Sequence, residues 1–239
     1  MNRRHLSPLI LFLLVSGFSG IVYQLVWIRL LARMVGGTGP AVAIVLAAFM
    51  GGLALGSRFF GPQADRTRAP LLLYARLEAA IAALGLLVLP AAALLTPVYV
   101  AAVGALPEAV SPLPRLLVSA LLLLPPTFLM GGTLPVAAAF LIRSDRKVGS
   151  GVGALYAANT GGAVLGALVA GFLLIEALGL TGTVAVAAAG NLIAALGAAA
   201  VHASSRSGRE PAASRPAGPA GAPGRSPTPE LSQRVLHAI

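Results

Sequence analysis

The chain has 239 residues, of which 57% are hydrophobic and 10% charged, with a formal net charge of +10 and a mean hydropathy of +0.89. Soluble domains are near half apolar and about a quarter charged, so a soluble globular enzyme is excluded. A disordered or nucleic-acid-coating protein is excluded too, because a basic partner surface needs polar area to display it.

What remains is an all-α integral membrane protein, since about 20 apolar residues cross a bilayer as helix. The chain has no cysteine, which removes disulfides, thiolate nucleophiles and Cys-type metal sites. His5, His202 and His237 lie near the chain ends, and none pairs with another at metal-ligand spacing.

The first apolar run, 8–28, follows Arg3, Arg4 and His5. A basic start and an apolar stretch also describe a secretory signal. The run continues through Leu25, Val26 and Trp27, so a retained span is expected. Further spans are predicted at about 40–60, 71–95, 113–141, 151–174 and 181–203. The fourth would be roughly 43 Å long as a straight helix, against a hydrocarbon core of roughly 30 Å. Pro125, Pro126 and Pro135 lie inside it and predict a kink or break. From 204 to 239 the composition is Ser, Gly, Pro, Arg and Ala, which predicts a flexible, disordered linker or tail.

Lys and Arg counts set the orientation of the six-span bundle. With the N-terminus inside, the inner segments hold Arg3, Arg4, Arg58, Arg66, Arg68, Arg143, Arg146 and Lys147, and the outer ones Arg29, Arg33 and Arg115. The expectation is therefore N-in and C-in, in a bacterial inner membrane. Trp27 and Tyr99 then fall at the outer interface, and Tyr74 and Tyr156 near the inner one. The basic charge is a topology signal rather than evidence for nucleic acid.

Two stretches echo each other. Met50-Gly51-Gly52 leads to Asp65-Arg66, and Met130-Gly131-Gly132 leads to Asp145-Arg146 at the same interval. The hairpin of spans two and three reads either as repeated in spans four and five, or as a second hairpin under similar constraints.

Both Asp-Arg pairs are expected in short inner loops, each Asp a few residues before a helix N-terminus, where a carboxylate complements the helix dipole. The segment from Gly61 through Asp65, Arg66 and Arg68 resembles the inner-loop signature of major-facilitator transporters, although Arg68 stands where that signature has a glycine. The pairs read either as a conformational latch or as solvated loop charges.

Within the spans, Arg76 and Glu78 are the charges that lie deep, and ionisable groups at depth mark a pathway or site by default. Arg76 is shallow enough to snorkel to the inner interface. Glu78 shares a helix face with Tyr74, four residues away, but not with Arg76. Asn159 and Thr160 lie at similar depth in the fifth span. The expected intramembrane polar cluster is Tyr74, Arg76, Glu78, Asn159 and Thr160, between spans three and five. It reads either as a site for a cation or proton, or as interhelical hydrogen-bond glue.

Gly52-x-x-x-Gly56 and Gly162-x-x-x-Gly166 predict close helix contact on spans two and five. No catalytic, cofactor-binding or metal-ligating set can be assembled from the sequence.

Four runs carry a family resemblance: Ser16 to Gly20 with Tyr23 to Leu31; Ala48 to Ser57; Leu124 to Pro135; and Leu155 to Gly166. In this order they resemble the N-terminal membrane region of bacterial membrane-bound spermidine synthase-like proteins, a fused major-facilitator-like group, over about 7–203. The resemblance implies an aminopropyltransferase domain after the spans, using decarboxylated S-adenosylmethionine and putrescine. Its catalytic residues are expected outside this chain.

The expected role is to anchor that synthase domain or subunit in the lipid bilayer and to handle a polyamine or another small cation. The alternatives are a half-size transporter that works as a homodimer, and a membrane scaffold.

Overall fold

The computed structural model describes residues 3–35, 38–104, 112–144 and 148–207. Asp145, Arg146 and the tail beyond 207 lie outside the described residues, so the latch expectation at the second Asp-Arg pair and the disordered-tail expectation fall outside them too. Every described residue except the turn 67–69 is helical. The helices are α1 (Arg3–Val35), α2 (Thr38–Arg66), α3 (Pro70–Gly104), α4 (Pro112–Ser144), α5 (Val148–Val169) and α6 (Ile175–Ser207), with a π-helical turn, Ala170–Leu174, between the last two.

Five helical segments are long and apolar enough to cross a membrane: Ser7–Met34, Val42–Arg66, Pro70–Gly104, Leu116–Arg143 and Ser150–Ser205. The last has 56 residues and would be roughly 84 Å long if straight. It is not straight. Gly179 has φ 65° and ψ −173°, a backbone region that is essentially glycine's alone.

The packing on either side of Gly179 gives the chain direction. Gly162 of α5 meets the Leu14 carbonyl of α1, and Gly166 meets Phe18 and Ile21, so α5 runs along α1 in the same sense. Gly190 of α6 meets Ser19 and Val15, and Gly197 meets Phe12, so α6 runs the other way. The chain doubles back between 166 and 190.

The helices extend beyond the predicted spans because polar residues at their ends keep their backbone bonds. Asp65 and Arg66 are therefore the last residues of α2 and not loop residues. Asp65 thus ends α2, at the negative end of that helix's dipole, and still stands a few residues before the N-terminus of α3 at Pro70, as expected.

Of the expected kink or break, a break does not occur: α4 is helical across Pro125, Pro126 and Pro135. Hydroxyls next to the prolines occupy nearby carbonyls. Thr127 donates to Leu123 O at 2.7 Å, and Thr133 donates to Met130 O at 2.9 Å. These acceptors are not the carbonyls of Leu121, Leu122 and Gly131 that the prolines leave without a donor.

Helix α1 touches all the other helices. The larger packing faces pair α1 with α5 and α6, α2 with α4, and α3 with α4 and α6. Exchanging α1 with α4, α2 with α5 and α3 with α6 maps these pairings onto one another. Helices α2 and α4 also run in the same sense, as α1 and α5 do, with Gly52 against Thr127 and Gly132 against Phe60. The relation is thus between two three-helix units. The two Met-Gly-Gly stretches face each other across the α2–α4 seam, where Gly56 meets the Phe128 carbonyl and Gly131 meets Leu53.

The interior has two hydrophobic clusters. One includes Val22, Trp27, Phe49, Ile81, Leu123 and Ala187. The other includes Leu13, Phe60, Leu71, Tyr74, Val136 and Ala194. Trp27 and Tyr99, expected at the outer interface, are buried in the first cluster. Trp27 stacks on Tyr23 with ring centroids 5.4 Å apart. Tyr156 is exposed.

Candidate functional site

Glu78 lies between the two clusters. Its neighbours in the helix, Leu77 and Ile81, belong one to each cluster. The same is true of Ala187 and Ala194 on either side of Asn191 in α6. On α1, Ser16 and Ser19 fall between Leu13 and Val22. A thin polar layer drawn from three helices therefore crosses an otherwise apolar bundle.

Glu78 is completely buried. Asn191 donates its side-chain amide to Glu78 Oε2 at 2.6 Å. Ser16 and Tyr74 also face the carboxyl. Glu78 Oε1, Tyr74 OH, Ser19 Oγ and Asn191 Oδ1 are buried with no hydrogen-bond partner. A buried ionised carboxyl without a paired charge is costly. Among the described residues no Lys, Arg or His approaches it closely enough to form an ion pair. The arrangement can hold one compensating positive charge.

On the far side of Ser16 lies a cavity of about 710 Å³ between α1, α2, α4 and α5. Ser16 and Gln24 contribute from α1, Ser57 from α2, Thr133 from α4, and Tyr156, Asn159 and Thr160 from α5. The rest of the wall is apolar, and no charged side chain is among its described lining residues. Ser16 belongs both to this wall and to the surroundings of Glu78.

The expected cluster is therefore divided. Tyr74 and Glu78 are together, as their four-residue spacing requires. Asn159 and Thr160 are not with them, because α3 packs on α4 and α6 while α5 packs on α1. Those two residues line the cavity instead. Arg76 is exposed on the other side of α3, as expected for a residue two places from Glu78.

The partner that Glu78 does have, Asn191, is the one amide side chain in the sixth apolar run. That isolated polar residue was the signal available in the sequence. Among the described residues, no group of three or more His, Cys, Asp or Glu converges.

Asp65 and Arg66 are exposed. The contact at this end of the bundle is made by Arg143, near the end of α4. Its guanidinium donates to the carbonyls of Thr67 and Asp65, and to that of Ala64 at 3.0 Å. It thereby occupies acceptors that the end of α2 leaves open.

The small-residue seams also have their structural cause here. A Cβ on Gly17 would lie 2.0 Å from the Asn159 carbonyl oxygen, and one on Gly162 would lie 1.9 Å from that of Leu14. This close α1–α5 approach sets Ser16 and Asn159 on one cavity wall.

No family model, no curated protein and no solved structure matches the chain.

Proposed function

We propose that the chain is a six-crossing domain of a bacterial inner membrane, with both termini cytoplasmic, of the kind found in spermidine synthase-like proteins, and that its cavity takes a small organic cation. The observation that carries this reading is convergence. The four runs on which the resemblance rests supply most of the cavity wall: Ser16 and Gln24, Phe49 and Ser57, Met130 and Thr133, and Tyr156 and Asn159.

The backbone reversal at Gly179 supports counting Ser150–Ser205 as two crossings. One carboxyl beside an uncharged cavity suits one ammonium group near Ser16. The remaining methylenes of a diamine would lie against the apolar wall. In this reading the domain anchors an aminopropyltransferase, as a fused domain or a separate subunit, and holds or admits its amine.

The exchange relation between the two three-helix units favours a second reading, since inverted repeats of this kind build transporter halves. The chain would then act as a half-size transporter, completed by a second copy.

Equilibrium binding of radiolabelled putrescine and spermidine to the purified chain in nanodiscs tests the shared claim. Saturable binding that weakens in Glu78→Gln is expected. Absence of saturable binding of both amines sinks it. Amine flux into liposomes containing the chain alone would favour the transporter reading.

A further inference from the structure

We propose that Glu78 is a proton-exchange site and that Ser16 is its route to the cavity. The carboxyl is sealed between two apolar clusters, and one of its oxygens has no partner. An intramembrane carboxyl without a cationic partner needs a positive charge from elsewhere, and a proton is the smallest that a closed site admits.

The surroundings are uncharged on every packed side. Tyr23 of α1 and Tyr74 of its own helix are the titratable groups that face Glu78. Helix α6 presents the neutral Asn191. On α4, the described charged side chain, Arg143, is engaged at the end of α2. Arg76 points away, exposed.

Ser16 stands in both compartments. It faces the carboxyl on one side and the cavity on the other, and its hydroxyl both donates and accepts. In the exchange step Oε1, which has no hydrogen-bond partner at rest, first closes a hydrogen bond to Ser16 Oγ; the carboxyl then passes its proton to Oγ while the proton of Ser16 passes to a water molecule in the cavity. A carboxylate and a hydronium result, and the hydroxyl is regenerated. Return of a proton by the same route restores the neutral acid. Asn191 keeps Glu78 Oε2 occupied by its amide hydrogen bond, which leaves Oε1 to carry the proton.

The inference rests on the proposed membrane reading only for water in the cavity, and its test uses no amine, so either can fail alone. Infrared difference spectra are recorded on the full chain in nanodiscs, with pH steps between about 5 and 9 and with exchange into D₂O. The expected result is a protonated-carboxyl band that Glu78→Gln removes. Ser16→Ala should keep the band and slow its deuterium exchange by about tenfold or more, and Ser16→Thr should restore the rate. Circular dichroism and elution profile establish that each variant is folded. A folded Glu78→Gln variant whose spectrum matches the parent at every pH would overturn the site. Unchanged exchange in Ser16→Ala would overturn the route, and this variant keeps the test open if Glu78→Gln does not fold.

Discussion

Asn191 of α6 donates to Glu78 of α3 across 113 positions of sequence at 2.6 Å, and both residues are buried. Removing only the donor leaves a carboxyl oxygen without a partner. Asn191→Ala is therefore expected to destabilise the fold by about 1–3 kcal/mol, while the apolar double variant Glu78→Leu/Asn191→Leu should recover much of that loss. Unfolding titrations in mixed micelles measure both. If the double variant loses as much as Glu78→Leu and Asn191→Leu do in sum, the pair contributes no coupling, and the polar layer is not held by this bond.

The glycine seams predict a sharp contrast within one residue type. A Cβ on Gly56 would fall 1.8 Å from the Phe128 carbonyl oxygen, whereas one on Gly61 meets nothing within 4 Å. The contact at Gly56 is with backbone, which cannot rotate aside. Gly56→Ala should cost about 1–3 kcal/mol or more through forced separation of α2 and α4. Gly61→Ala should be neutral or stabilising by up to about 1 kcal/mol, because it removes glycine's entropic cost within a helix. Thermal unfolding of the two variants side by side decides the point. Equal effects would mean that the α2–α4 seam is looser than described.

Arg143 binds the end of α2 through a planar fork that reaches three carbonyls. Lysine keeps the charge but not the fork. Arg143→Lys is expected to lose about 1 kcal/mol, held low by solvent exposure. Amide exchange should speed up in the turn 67–69 and leave α5 and α6 unaffected. Unchanged protection of that turn would show that the contact does not order it.

Much of the fold is legible in composition, because apolar runs bounded by charges state where helices lie and roughly how long they are. The Tyr74–Glu78 face is legible too, since helical spacing fixes it. The neighbour of that face is not. Asn159 and Asn191 both lie at plausible depth, and only the α3–α6 packing selects Asn191. That packing joins residues more than 100 positions apart, and no local pattern marks the pairing. The prolines of α4 remove three backbone donors without ending the helix, and nothing in the local sequence separates that outcome from a break.

The direction of the chain at Gly179 bears on the number of crossings, and it can be tested because the chain has no cysteine. Single cysteines can be placed at Gln63, near the end of α2, and at Leu178, beside the reversal; both side chains are exposed. With six crossings and an inner N-terminus, a membrane-impermeant maleimide should label Leu178→Cys in intact spheroplasts and Gln63→Cys only after permeabilisation. A companion variant tests the backbone itself. Gly179 combines positive φ with extended ψ, so Gly179→Ala should cost about 1–3 kcal/mol even though a Cβ there meets nothing within 4 Å. The empty surroundings separate the two causes, because a loss at this position is conformational and not steric. Labelling of both cysteines from the same side would mean that an even number of crossings, not the three of α3, α4 and α5, separates them, and the six-crossing proposal would fall with it.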